Sequence, residues 1–270
     1  MPRANPFGPR IIQSLGLAAI ALSSAVGIGL LQGQRLNALK GDAAQPALAP
    51  AEQAEAESRQ RQQLQTLRQV PTFGFRNLVA DWVMLQFIQY FGDFEARRQR
   101  GYGLSPDYFD IILSRDPYFR DAYLFLSASG TLYAGQPQRT VEIFERELTH
   151  LAPTTPERAY VLWRYKGSDE LLFLGDAEAA AESFATAAAW GSAYEDPESE
   201  AIAAQSQQMA EFLRENPDSR AAQISAWGIV LTNAFDQRTQ QLAIQQIEQL
   251  GARVEVDGSG QFRIVTPSPR

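Results

Sequence analysis

The residues able to carry chemistry are few. Histidine occurs once, at His150, lysine twice, at Lys40 and Lys166, and cysteine not at all. Zinc is usually held by several His or Cys side chains, so a site here would have to be built from three carboxylates, and no metal site is expected. A Ser-His-acid triad would have to use His150, yet no Gly-x-Ser-x-Gly turn is present. Lys40 lies beside an apolar run, which leaves Lys166 alone for a Ser–Lys dyad. No glycine-rich phosphate loop occurs. Glu142, Glu145 and Glu147, like Glu195, Glu198 and Glu200, fit solvated helix faces and helix N-terminal charges better than acid/base pairs. The inventory describes a chain that is not an enzyme and takes no cofactor.

Binding is the chemistry that remains. Tyr90, Tyr123, Tyr133 and Trp163 fall on stretches that read as the first helices of successive pairs. Such helices line the concave face of a repeat stack, where large aromatic side chains act as anchors for a protein or peptide partner. Asp81 is the other singular residue. It follows Leu78 by three and precedes Leu85 by four, which places it on the apolar face of its helix. The expectation is a structural buried acid, paired with Arg115 or Arg120 and fixing the register between helices.

The elements that would position these residues begin after a long preamble. Residues 11–31 contain no charge and are bracketed by Arg10 and Arg35. At about 1.5 Å per residue they span a hydrocarbon core of roughly 30 Å and read as a transmembrane anchor, with residues 1–10 as a tail. A cleaved secretory leader is the competing reading, with imperfect cleavage sites inside the run. Ala19, Ser23 and Gly27 form a small-residue stripe on which two anchors could pair. The basic flanks nearly balance, and the short leading segment favours a body on the periplasmic or lumenal side of a bacterial plasma or thylakoid membrane. Residues 32–70 follow as a linker. The stretch 41–58 is rich in Ala, Pro, Glu and Gln and reads as unstructured, and 59–70 as a short amphipathic helix on Leu64, Leu67 and Val70.

Charge divides the chain at this point. Residues 1–70 hold seven basic and four acidic side chains, a balance of +3, and residues 71–270 hold 17 and 27, a balance of −10. An acidic body argues against nucleic acid as a partner. Residues 73–94 are its most apolar stretch. Arg76, Asn77, Asp81, Gln86 and Gln89 make it costly as a second span, so it reads as a buried core helix. Residues 95–104 read as a charged, glycine-containing loop. Ser105-Pro106 opens the next helix, and Asp116-Pro117 is expected to cap and start the one after it.

From here the chain nearly repeats. A shift of forty places Leu132 on Leu172, Tyr133 on Phe173, Gly135 on Gly175, Glu142 on Glu182 and Phe144 on Phe184. Helix pairs at such a period define a helical repeat. Further helices are expected over 198–214, 219–234 and 237–250. Residues 253–265 alternate about an Asp-Gly turn, the pattern of a β-hairpin that caps the last pair.

The repeat resembles the tetratricopeptide family. Gly135, Thr140, Phe144 and Pro153 follow its spacing, the proline one residue late. Gly175, Ala180, Phe184 and Ala187 follow the core of it, with the closing proline displaced to Pro197; its early Trp, Leu and Gly are not recovered. Gly74 to Trp82, Gln89 to Gly92 and Asp116 to Tyr123 are similar to a family of bacterial membrane-anchored tetratricopeptide-like proteins, and GYGLSPDYFDIIL to its cyanobacterial members. The resemblance covers about residues 71–190. It implies a single N-terminal anchor and an α-helical repeat body. Together with the reading of the residues, the expectation is an all-α helical-hairpin solenoid over residues 71–250, an N-terminal transmembrane helix, and a short β-hairpin and tail over 251–270. The expected role is a scaffold or assembly factor for a membrane complex, photosynthetic in the concrete form. The alternative is an accessory subunit of polysaccharide or cell-envelope export.

Overall fold

A computed structural model describes residues 50–234, 236–256 and 262–266. The expected anchor, its small-residue stripe and the first part of the linker lie outside the described residues. Eleven α-helices and one two-stranded sheet make up what is described. The first four helices are α1 (Pro50–Gln69), α2 (Arg76–Gly92), α3 (Phe94–Arg100) and α4 (Ser105–Arg115). At the centre of this group is α4, opened by Pro106 as expected and buried at eight of its eleven residues. Phe109, Ile112 and Leu113 are fully buried, and Phe87 of α2 packs edge-on against Phe109 at 4.5 Å.

Two acids one turn apart let α4 hold a helix on either side. Asp107 accepts from Arg61 of α1 at 3.2 Å and from Arg139 at 2.9 Å. Asp110 does the same with Arg68 at 2.6 Å and Arg146 at 2.6 Å. These pairs, with Leu64 as its one fully seated apolar residue, dock α1. The helix starts nine residues before the expected short one, so residues 50–58 are not the linker they were expected to be. Their Ala, Glu and Gln content lacks a hydrophobic face but has high helix propensity, supported by the Glu55–Arg59 and Glu57–Arg61 pairs made with the next turns.

Next come α5 (Arg120–Leu126) and α6 (Pro137–Leu148), then α7 (Tyr160–Asp169) and α8 (Ala177–Gly191). Both α5 and α7 run on into wider, π-type turns, over Ser127–Tyr133 and Glu170–Leu174. Each turn ends on a glycine in the left-handed region, Gly135 at φ 61° and Gly175 at φ 70°. The forty-residue shift is thus a structural equivalence between two helix pairs. Asp116 and Pro117 do not start a helix. The Asp116 carboxylate accepts from the Tyr118 amide at 3.0 Å within a turn, and α5 begins three residues beyond the proline.

The remaining helices are α9 (Pro197–Glu215), α10 (Arg220–Asn233) and α11 (Gln237–Gln249), close to the expected bounds. Alanines bring α8 and α9 together, so that a Cβ on Gly191 would stand 3.1 Å from that of Ala203. The strands β1 (Arg253–Val256) and β2 (Phe262–Val265) pair antiparallel, Val254 opposite Ile264. Both of these residues pack against the apolar cluster formed by α10 and α11, as a cap requires.

Candidate functional site

Two faces of α2 have opposite fates. Ala80, Val83, Met84, Phe87 and Tyr90 are buried. The other face carries Phe75 at 67% exposure, Leu78 at 65%, Trp82 at 57%, Leu85 at 56% and Ile88 at 51%. Phe73 and Phe94, at its two ends, are exposed as well. Large apolar side chains along a solvent-facing helix mark an interaction surface. Asp81 sits inside this face, exposed, and its carboxylate makes no hydrogen bond or ion pair among the described residues. The expected buried acid is therefore a surface one. Arg115 instead donates to the carbonyls of Arg68 and Val70, and Arg120 to that of Glu157. The stretch 73–94 is likewise half buried rather than a core helix. No described helix is long and apolar enough to cross a membrane.

The four expected binding aromatics do not converge on a groove. Tyr90 is buried, its hydroxyl accepting the Leu104 amide at 3.1 Å and its ring lying 3.8 Å under the Arg97 guanidinium. Burial pushes its pKa up to about 12 against the pull of Arg97. Tyr123 is fully buried and donates to the Pro117 carbonyl at 2.9 Å. Tyr133 is half-buried in an aromatic cluster with Phe91 and Tyr102, both at 5.1 Å. Trp163 meets Trp190 edge-to-face at 5.6 Å. Tyr90 and Tyr123 are interior packing, while Tyr133 and Trp163 keep only part of their surface in solvent.

The charged stretch 95–104 is largely the helix α3, and Arg97 within it is buried, donating to the Gly101 carbonyl at 2.6 Å. Glu147 was expected in solvent and is buried as well, accepting from Arg146 at 2.7 Å.

The lysine considered for a dyad is also interior. Lys166 is buried in an ion pair with Glu170 and donates to Ser183 Oγ at 3.2 Å. Ser183 Oγ in turn donates to Glu170 Oε2 at 2.6 Å. A nucleophilic serine needs an unprotonated base and an open approach. Here the lysine is tied into an ion pair with Glu170, and Ser183 is buried at 1% exposure. Next to Glu170, Asp169 turns the other way and accepts from Ser127 Oγ at 3.2 Å. Burial raises its pKa to about 7, although the Ser127 and Thr131 hydroxyls pull it down.

A cleft of about 330 Å³ lies where the Arg100–Gly103 turn and the Gly135 turn meet α11. Its arginines, Arg100 and Arg238, share it with Asp236, so no field of one sign builds up. Compared with known proteins, the chain matches no family model, no curated protein and no solved structure.

Proposed function

We propose that this chain is a non-catalytic, membrane-anchored helical-repeat scaffold or assembly factor that binds a protein partner. The observation that carries the reading is the apolar face of α2, turned to solvent on a body whose buried Glu147, Lys166 and Glu170 are engaged in structural pairs. The uncharged run 11–31 supplies the expected attachment to the membrane.

The tetratricopeptide resemblance gains support from a detail that spacing in the sequence concealed. Its pattern opens Trp-x-x-Leu-Gly. Trp163, Lys166 and Gly167 fit this with Lys in place of Leu, and Gly167 lies where a Cβ would stand 3.1 Å from Phe184, the pattern's later aromatic. The π-type turn adds residues between the two halves and shifts the first out of register with the second.

The test is cross-linked recovery from solubilised membranes of the source organism, after alkaline extraction. The chain should stay with the membrane pellet and bring down a reproducible protein partner. Release by alkali would remove the anchor from the reading, and the absence of any partner would remove the scaffold.

A further inference from the structure

We propose that the exposed face of α2 seats a single helix of a protein partner, one that carries a lysine or arginine opposite Asp81. This rests on the protein-partner reading above and names the surface and the chemistry of its occupant.

The spacing selects a helix. Phe75, Leu78, Trp82 and Leu85 follow one another by three, four and three residues, and Gln89 is next in the series. Alternating steps of three and four form the seam into which a second helix interdigitates. From Phe75 to Gln89 the seam runs about 21 Å along the axis, enough for four turns of a partner.

Asp81 selects the charge. It is one turn before Leu85 and two before Ile88, so a helix covering these residues also covers the carboxylate. A desolvated carboxylate without a partner is costly, and a cation placed opposite turns that cost into discrimination. The face itself offers no cation. Its members are Phe75, Leu78, Asp81, Trp82, Leu85, Ile88 and Gln89, while Arg76 donates to the Ser114 carbonyl at 2.7 Å. Two copies packed through this seam would add a second Asp81 and nothing to balance it. A bilayer surface fits less well, because it offers no fixed cation at the depth of Asp81, whereas a partner helix can place one there.

Site-specific photo-cross-linking of the full chain in native membranes tests the seat. Benzoylphenylalanine replaces Leu78, Trp82 or Leu85 one at a time, with Gln208 on α9 as the off-face position, and the joined peptides are sequenced. The three face positions should join one helical segment of one protein, containing a lysine or arginine, and Gln208 should not. Asp81→Lys should lower the yield about tenfold or more with the melting temperature unchanged, and Asp81→Glu should retain it. Reversing the charge of the mapped cation should restore the yield to Asp81→Lys. Lipid adducts, adducts between two copies, or an unchanged yield for Asp81→Lys overturn the proposal. A partner joined only through other faces also overturns it and leaves the scaffold reading standing, whereas recovery of no protein partner removes both.

Discussion

In the α5–α6 pair the inward positions include Leu126, Gly130 and Ile143, all buried. In the α7–α8 pair the equivalent positions, forty residues on, hold Lys166, Glu170 and Ser183, also buried. The backbones correspond through the π-type turn and the left-handed glycine. One pair is filled by apolar contact, the other by a ring of Lys166, Glu170 and Ser183, with Glu145 of α6 at 3.6 Å as a second ion-pair partner of the lysine. The fold therefore requires volume and satisfied polar atoms at these positions, and does not require hydrophobicity as such.

The largest expected effect comes from opening the polar ring on one side. Lys166→Met leaves Glu170 buried beside Ser183 alone and should cost roughly 3–5 kcal/mol in chemical denaturation. Lys166→Met combined with Glu170→Leu should recover most of that loss, or exceed the wild type by about 1–4 kcal/mol, by making the second pair resemble the first. A double variant as unstable as the single one would show that the pairs are not interchangeable.

Asp169 sharpens the comparison through pH, since its counterpart Ser129 does not titrate. Below roughly pH 4 the folded and unfolded chains both hold the proton, and Asp169 adds no slope. Between there and about pH 7 the unfolded chain has lost it while the fold retains it, so stability declines with rising pH. Above about 7 the folded group ionises too and the slope ends. The decline should reach at most about 4 kcal/mol. Asp169→Asn should abolish it, as read from denaturation midpoints across that window, and an unaltered pH profile would assign the dependence to other groups.

The smallest effect should be equal in the two pairs. Gly135→Ala and Gly175→Ala each place a Cβ on a left-handed residue, 2.8 Å from Leu242 and 2.7 Å from Gln223 respectively. Both should cost about 1–2 kcal/mol, because the backbone is shared even where the filling differs. A cost confined to one of them, measured by melting temperature, would break the equivalence.

Most of the architecture was legible in the chain. The shift of forty, the start at Pro106, the three late helices and the terminal hairpin follow from spacing, proline and turn residues, all local signals. The candidate surface was not. The run through α2 is apolar on both sides, so periodicity gave no preference for which side packs, and Asp81 was assigned to the interior together with Leu78 and Leu85. Residues 50–58 misled in the opposite direction. They lack the apolar stripe that announces a docked helix, because α1 is docked mainly by arginines reaching acids about forty-five residues away.

The sequence by itself determined the repeat, the start at Pro106 and the bounds of the three late helices, since prolines, caps and glycines act on their own neighbours. It also determined the inventory of one histidine, two lysines and no cysteine. Only the tertiary structure decided which groups are inside. Asp107 and Asp110 became clamps when α1 and α6 arrived on either side of α4, and Lys166 became a core residue when Glu170 and Ser183 closed around it. The same packing turned α2 so that Ala80, Val83 and Phe87 meet α4 and Leu78, Trp82 and Leu85 meet solvent. Burial is a property of what lies opposite a residue, and what lies opposite is fixed by contacts between segments far apart in the chain.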